Sequence, residues 1–267
     1  MEQNSLDLKV AGVFVRLAYQ RRNGSGPPVI SLHGFGSTKE DYSDLALCEE
    51  FADRDLISWD APGCGASELE VPDALSIPFL VEVTRAACDA LDVEQFHVTG
   101  HSMGGLTALL FAQAFPERVL SFFNIEGNVA PEDCFLSRQI IEYPADTPED
   151  FLRDFQRRAR ERREFGLGLY ALALPQKVRA TTFHPIFTSM VALSDTEPLL
   201  DMFVALKCPK TFVHGVQNRH LSYLPRLSKL GVEVIEIDHS GHFPMYSNPP
   251  ALWSALAGFL SRGESSA

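Results

Sequence analysis

The chain reads as an α/β protein built on a mainly parallel sheet flanked by helices. Apolar β-like runs alternate with helical periodicities, which calls for βαβ crossovers and hence parallel strands. The stretch Gly100-His-Ser-Met-Gly104 lies where the apolar run Phe96–Thr99 gives way to the helical run Met103–Phe115. The polar residues suited to chemistry, His33, Asp60, Ser102 and Glu126, each follow an apolar run, at the strand ends where such sheets present their ligands.

Taken in order, Leu6–Val10 and Val13–Arg22 are expected to be strands joined near Gly12 and paired antiparallel. The segment Asn23-Gly-Ser-Gly-Pro-Pro28 is turn chemistry. A strand at Val29–His33 leads into the glycine-rich loop His33-Gly-Phe-Gly36 and a helical segment over Thr38–Phe51. Leu56–Asp60 is a strand followed by the loop Asp60–Ser67, and Ile77–Leu91 is a helix. Phe96–Thr99, the helix Met103–Phe115 stopped by Pro116, and a strand at Val119–Ile125 follow.

The alternation then breaks. Between residues 128 and 206, helical patterns at Pro131–Glu142, Pro148–Phe165, Phe183–Leu193 and Pro198–Leu206 occur without a convincing strand, which reads as an inserted helical cap. Strands at Thr211–His214 and Val232–Asp238, with a helix near His220–Leu230 between them, resume the sheet, and Pro249–Ser261 is a closing helix. The expected organisation is a core of residues 1–127 and 207–267 carrying a cap of residues 128–206.

Composition bounds the function. With 267 residues, 45% hydrophobic and 22% charged, the chain has ordinary globular values, and no run of about 18 apolar residues is present to span a membrane. The start of the chain lacks the pattern of a secretory signal, so a cytoplasmic location is expected. Five widely spaced cysteines without a C-x-x-C pair argue against a disulfide framework or a zinc site. A net charge of −12 gives no footprint for nucleic acid. The arginine-rich stretch Arg153–Arg163 is interleaved with Asp154 and Glu161 and reads as the solvated face of an amphipathic helix rather than an anion site. The expected partner is a small-molecule substrate, with neither cofactor nor metal; the oligomeric state is left open.

A serine hydroxyl attacks a carbonyl at neutral pH only when held clear of the backbone, near a base and near donors for the oxyanion it creates. A tight strand-to-helix turn at Gly100-His-Ser-Met-Gly104 provides that setting for Ser102 as a nucleophile. His242 and His239, after the last expected strand, are the candidate bases. His33 and His101 are read as orienting backbone, Asp60 as bonding the N–H groups of its own loop, and Cys64 as an inert thiol.

Four motifs occur in order: His33-Gly-Phe-Gly36, Asp60-x-x-Gly-x-Gly-x-Ser67, Gly100-His-Ser-Met-Gly104 and Ser240-Gly-His-Phe-Pro244. On these the chain resembles the α/β-hydrolase fold family along essentially its whole length. The resemblance implies a mostly parallel eight-stranded sheet flanked by helices, with an inserted helical cap as a lid. It favours His242 over His239 as the base, because Gly241 and Phe243-Pro244 match the family's histidine loop. The backbone N–H groups of Phe35 and Met103 become the expected oxyanion hole, with their side chains lining the acyl pocket.

One departure stands out. Relatives of this fold usually place the triad acid in a pattern like His-Gly-x-x-Asp, but here His214-Gly-Val-Gln-Asn218 ends in an amide. Haloalkane dehalogenases, which resemble capped members of the same fold, draw their acid from the position that Glu126 occupies, so Glu126 is the expected acid and Asp238 its competitor. The expected function is a cofactor-independent serine hydrolase, with a Ser102–His242–Glu126 triad, cleaving a carboxylic ester or related acyl bond. The cap aromatics Phe135, Phe151, Phe165, Phe183 and Phe187, with Leu169, suit a hydrophobic group. Hydrolysis of a carbon–carbon bond in a diketone-like substrate, or a catalytically inactive receptor, are the alternatives.

Overall fold

The computed structural model describes residues 1–162 and 164–264, so Arg163, at the end of the arginine-rich stretch, and residues 265–267 of the expected core lie outside the described residues. One sheet contains β1 (Glu2–Val10), β2 (Val13–Arg22), β3 (Ser25–Leu32), β4 (Arg54–Trp59), β5 (Glu68–Leu69), β6 (Phe96–His101), β7 (Val119–Ile125), β8 (Lys210–Gly215) and β9 (Glu233–Ile237). Its order is β1-β2-β4-β3-β6-β7-β8-β9, with β5 attached to β2. β1 and β4 run antiparallel to β2, and every pairing from β4 to β9 is parallel. Among the described residues the sheet thus has nine strands where eight were expected. The extra one, β5, is two residues long, too short to show a period of two, and exists because Leu69 and Glu68 pair with Val15 and Arg16.

Helices α1 (Ile77–Ala90) and α2 (Met103–Ala114) lie within the sheet-forming part of the chain. Five more, α3 (Gln139–Glu142), α4 (Pro148–Glu161), α5 (Leu167–Lys177), α6 (Phe183–Thr196) and α7 (Leu199–Ala205), fall between β7 and β8, and α8 (Leu224–Lys229), α9 (Pro244–Ser247) and α10 (Pro249–Glu264) follow. The strand β7 shows why the sheet is covered on both faces. Successive side chains alternate sides, and Phe122 meets Phe203 of α7 at 5.6 Å between ring centroids while Phe123 meets Phe259 of α10 at 5.6 Å. A strand buried on both sides need not alternate, and Val119–Ile125 is buried at six of its seven positions, its two polar residues Ser121 and Asn124 included.

Several elements differ from the sequence expectation: the turn expected at Asn23–Pro28 already enters β3 at Ser25, where the chain pairs with Arg54, and the helix expected over Pro131–Glu142 is a 3₁₀ turn, Pro131–Phe135, followed by the four-residue α3. Thr38–Phe51 forms 3₁₀ turns, Lys39–Leu47 and Glu49–Phe51, and the buried residues of the first, Lys39, Tyr42 and Leu45, recur every third position, the period of that helix. Helix α5 was not anticipated, because Pro175 lies inside it and Gly166 and Gly168 interrupt its start. The helix after β8 begins at Leu224 rather than His220. By contrast α4 buries Phe151, Phe155 and Ala159 at four-residue intervals, and its outer arginines pair along the helix, Arg153 with Asp150 and Arg157 with Asp154 and Glu161.

The loop after β4 is organised by Asp60, which is fully buried. Its Oδ1 accepts from the Lys39 backbone N–H at 2.8 Å, and its Oδ2 accepts from Lys39 Nζ and the Ala66 N–H, both at 2.9 Å. All of its bonds serve the loop and the 3₁₀ turn, so Asp60 is a structural carboxylate. Removing one partner of a buried ion pair strands the other charge. Asp60→Ala, which leaves the Lys39 ammonium only the half-exposed Glu40, should therefore lower unfolding stability by about 3–5 kcal/mol in urea denaturation; a loss under about 1 kcal/mol would remove Asp60 as the loop's organiser.

Candidate active site

The turn from β6 to α2 carries Ser102 at φ 49° and ψ −115°, a backbone conformation that L-residues rarely adopt. The strain therefore sits on the serine itself, while the flanking glycines permit close approach. A Cβ on Gly100 would lie 2.6 Å from the Gly104 carbonyl oxygen, and one on Gly104 would lie 2.2 Å from the Leu32 carbonyl oxygen. The conformation is pinned from both sides, because the Ser102 N–H donates to the Ile125 carbonyl and the Leu106 N–H donates to the Ser102 carbonyl, each at 3.0 Å. The Met103 N–H belongs to the first turn of α2, which has no acceptor within the helix for its donors.

Glu126 follows β7 directly and also has a left-handed backbone, φ 49°. Its N–H donates to the Val213 carbonyl at 2.9 Å, which ties the tip of β7 to β8. The side chain is buried and its carboxylate accepts three hydrogen bonds: Oε1 from the Gly215 N–H at 2.7 Å, and Oε2 from Asn218 Nδ2 at 2.5 Å and from His242 Nδ1 at 2.8 Å. A carboxylate can only accept, so Nδ1 of His242 bears the hydrogen and Nε2 of the neutral ring is the free basic nitrogen.

His242 is 5% exposed on the loop after β9. That loop is fastened to the serine turn by His101, whose Nε2 donates to the His242 carbonyl oxygen at 2.7 Å. Burial, reinforced by the neighbouring His242, holds the His101 ring well below the usual histidine range, so it remains neutral. His33 has a comparable scaffold role: its Nε2 accepts from the Ala61 N–H at 2.8 Å and its Nδ1 donates to the Gly34 carbonyl at 2.7 Å. The competitors are elsewhere, His239 and Asp238 being exposed on the turn leaving β9. Burial pushes the Cys64 thiol up to about 12, which leaves it without thiolate character.

Ser102 and His242 line one cavity with Phe35, Asp133, Leu136, Ser137, Tyr170, Phe187 and Met190. About 10 Å³ is open in it, room for a single water molecule. Of the six apolar residues expected to form its upper wall, only Phe187 lines it. Phe151 and Phe183 are in an aromatic cluster above Phe35, the Phe183 and Phe35 rings being 4.5 Å apart. Phe135 is partly exposed and packs edge-on against the His242 ring at 4.9 Å, Phe165 is half-buried, and Leu169 is 58% exposed. Nor does Met103 share this space with Phe35; its side chain lines a separate small one with Leu32, His33 and Trp59.

The residues that sequence reasoning missed come from α5, α6 and the segment before α3. Tyr170 lay in the unanticipated helix α5; its ring stacks on Phe243, 4.4 Å between centroids, and covers Gly36 so closely that a Cβ there would lie 2.2 Å from Cε2. Asp133 accepts from the Val129 and Ala130 N–H groups at 2.8 and 2.9 Å and from the Tyr223 hydroxyl at 2.7 Å, and burial pushes its carboxyl up to about 7. Among the described residues no group of three or more His, Cys, Asp or Glu is arranged to hold a metal ion.

Residues 27–165 match the alpha/beta hydrolase fold family. The chain is 34% identical over 130 residues to a pimeloyl-[acyl-carrier protein] methyl ester esterase of Aeromonas hydrophila, covering 48% of this chain and 46% of that protein. It is 35% identical over 106 residues to a 2-hydroxy-6-oxo-6-phenylhexa-2,4-dienoate hydrolase of Comamonas testosteroni, covering 39% and 37%. The matched parts thus span less than half the length of these curated relatives. The fold is that of a thermophilic esterase from Thermogutta terrifontis, with a TM-score of 0.73 at 17% identity over 98% of this chain and 99% of that one. With more than half its length matched, and with this sheet and strand-to-helix turn, the chain belongs to the alpha/beta hydrolase fold family.

Proposed function

We propose that the protein is a cofactor-independent serine hydrolase that cleaves a carboxylic ester or related acyl bond of a small, mainly apolar molecule through an acyl-enzyme. The observation that carries this reading is a strained Ser102 in one closed cavity with a His242 whose Nδ1 is bonded, at 2.8 Å, to the buried Glu126 carboxylate. In this reading His242 Nε2 takes the Ser102 proton as Oγ attacks the acyl carbon, and the imidazolium so formed is stabilised by Glu126. The Phe35 and Met103 N–H groups meet the oxyanion, His242 returns the proton to the leaving group, and water then attacks the acyl-enzyme by the same path. The cofactor-independent step needs only these side chains and water.

In the same reading residues 128–206 act as a cap. They supply Asp133, Leu136, Ser137, Tyr170, Phe187 and Met190 to the cavity wall, and a space for one water admits an acyl group only when that wall moves. Movement has defined anchors to break: Lys177 at the end of α5 donates to both Asp41 carboxylate oxygens at 2.9 Å and to the Tyr246 hydroxyl at 3.0 Å. The mainly apolar lining favours an uncharged acyl group, since an anion there would face Asp133 without a cation among the lining residues.

Three outcomes test the reading. Ser102→Ala should fold normally, lose turnover of any accepted ester on the order of 10⁶-fold, and lose stoichiometric labelling by a fluorophosphonate; labelling retained in the folded variant would place the nucleophile elsewhere. Glu126→Gln should lower kcat by up to about 10⁴-fold with the fold intact, as measured by steady-state kinetics beside circular dichroism, and near-parental kcat would remove Glu126 from the reaction. Phe187→Leu should shift the ranking of acyl chain lengths towards longer chains, on the order of 10-fold in relative kcat/KM, whereas an unchanged ranking would detach the cap from substrate selection.

A further inference from the structure

Asn218 stands where an acid would be expected from the His-Gly-x-x-Asp pattern, yet its amide is not idle. It ends the 3₁₀ turn Val216–Asn218 immediately after β8, is 9% exposed, and directs Nδ2 to Glu126 Oε2 at 2.5 Å. That is the oxygen which also accepts from His242 Nδ1. Since Glu126 takes the Gly215 and His242 hydrogens as an acceptor, the amide meets it through its NH₂, and the carboxylate is held at three points.

We propose that Asn218 is a positioning residue for the hydrolytic site: it fixes the Glu126 carboxylate against His242 and keeps a second negative charge out of that place. The proposal rests on the reading of Ser102, His242 and Glu126 as a triad. Charge around Glu126 explains why an amide serves there and a carboxylate does not. Besides Asn218, the titratable groups facing it are His242 directly and, through space, Asp133 with the Tyr223 hydroxyl that donates to it. Asp133 is already a second buried carboxyl acting on the same region, and His101 adds no positive charge because it is held neutral. A carboxylate at 218 would lie within hydrogen-bond reach of Glu126, and two such groups share a proton rather than both ionise. An amide supplies a donor at every pH.

The test uses the whole chain and an ester that the protein hydrolyses, with kcat and KM measured across pH for two variants. Asn218→Ala removes the donor and should lower kcat by about 10- to 100-fold with little change in KM, the size expected for one hydrogen bond to a charged group. Asn218→Asp is isosteric and should keep the parental melting temperature. Its second carboxyl, competing with Glu126 for one proton, should add to the kcat/KM profile a titration that the parental profile lacks. Parental kcat in Asn218→Ala, or a parental pH profile in a folded Asn218→Asp, overturns the proposal, the latter even where Asn218→Ala is impaired, because a merely structural amide would not move a titration. Glu126→Gln measured in parallel separates the two levels: if it retains activity the triad reading itself fails, and if it is inactive while both Asn218 variants behave as the parent only the role of Asn218 fails.

Discussion

The site depends on one buried carboxylate reached from three strand ends. Glu126 leaves β7, the Gly215 N–H and Asn218 come from the end of β8 and its following turn, and His242 comes from the loop after β9. Because β7, β8 and β9 are parallel neighbours, their carboxyl ends meet along one edge, about 4.8 Å apart in sequence of pairing. Glutamate's side chain is long enough to cross from β7 to the histidine loop in front of β8, and the Glu126 backbone bond to Val213 fixes where that crossing starts. A loss of register between β7 and β8 would separate the carboxylate from every donor it has.

Strain and burial act together at this edge. Ser102 and Glu126 both hold left-handed backbone conformations, which cost on the order of 1–3 kcal/mol each and persist only where the surroundings over-determine them. The surroundings do so here through the Ser102 to Ile125 bond, which links the serine turn to the strand preceding Glu126, and through His101, which joins the same turn to the histidine loop. These contacts make the serine turn, the carboxylate and the imidazole one rigid unit on the sheet, while the opposite wall of the cavity is built from helices between β7 and β8. A rigid floor under a wall of different origin is the arrangement in which a wall can move without disturbing the groups beneath it.

Asn218 shows how a departure from a familiar pattern acquires meaning only in three dimensions. Read along the chain, an amide after His214-Gly is a missing acid. Placed beside Glu126, it is a donor to a carboxylate that arrives from another strand. The two readings differ because a residue's partners, rather than its own chemistry, decide whether an amide is a loss or a support.

The sequence by itself determined the sheet-and-helix class, the parallel core, the strand-to-helix turn at Ser102 and the loop-forming role of Asp60. These depend on local signals: apolar runs with a period of two or 3.6 residues, glycines where backbones pass closely, and a carboxylate within reach of its own loop's N–H groups. It did not determine β5, the 3₁₀ character of Lys39–Leu47, helix α5 or the cavity lining. A two-residue strand exists only through its partner, a proline near a helix end looks like a stop, and the aromatic residues of residues 128–206 divide between a cluster above Phe35, the His242 ring and solvent according to helix rotation. The bonds that bring Glu126, Asn218 and His242 together span gaps of 92 and 116 residues along the chain. Contacts of that separation leave no periodic trace in a sequence, because they are fixed by which strands lie side by side, and only the tertiary structure decides that.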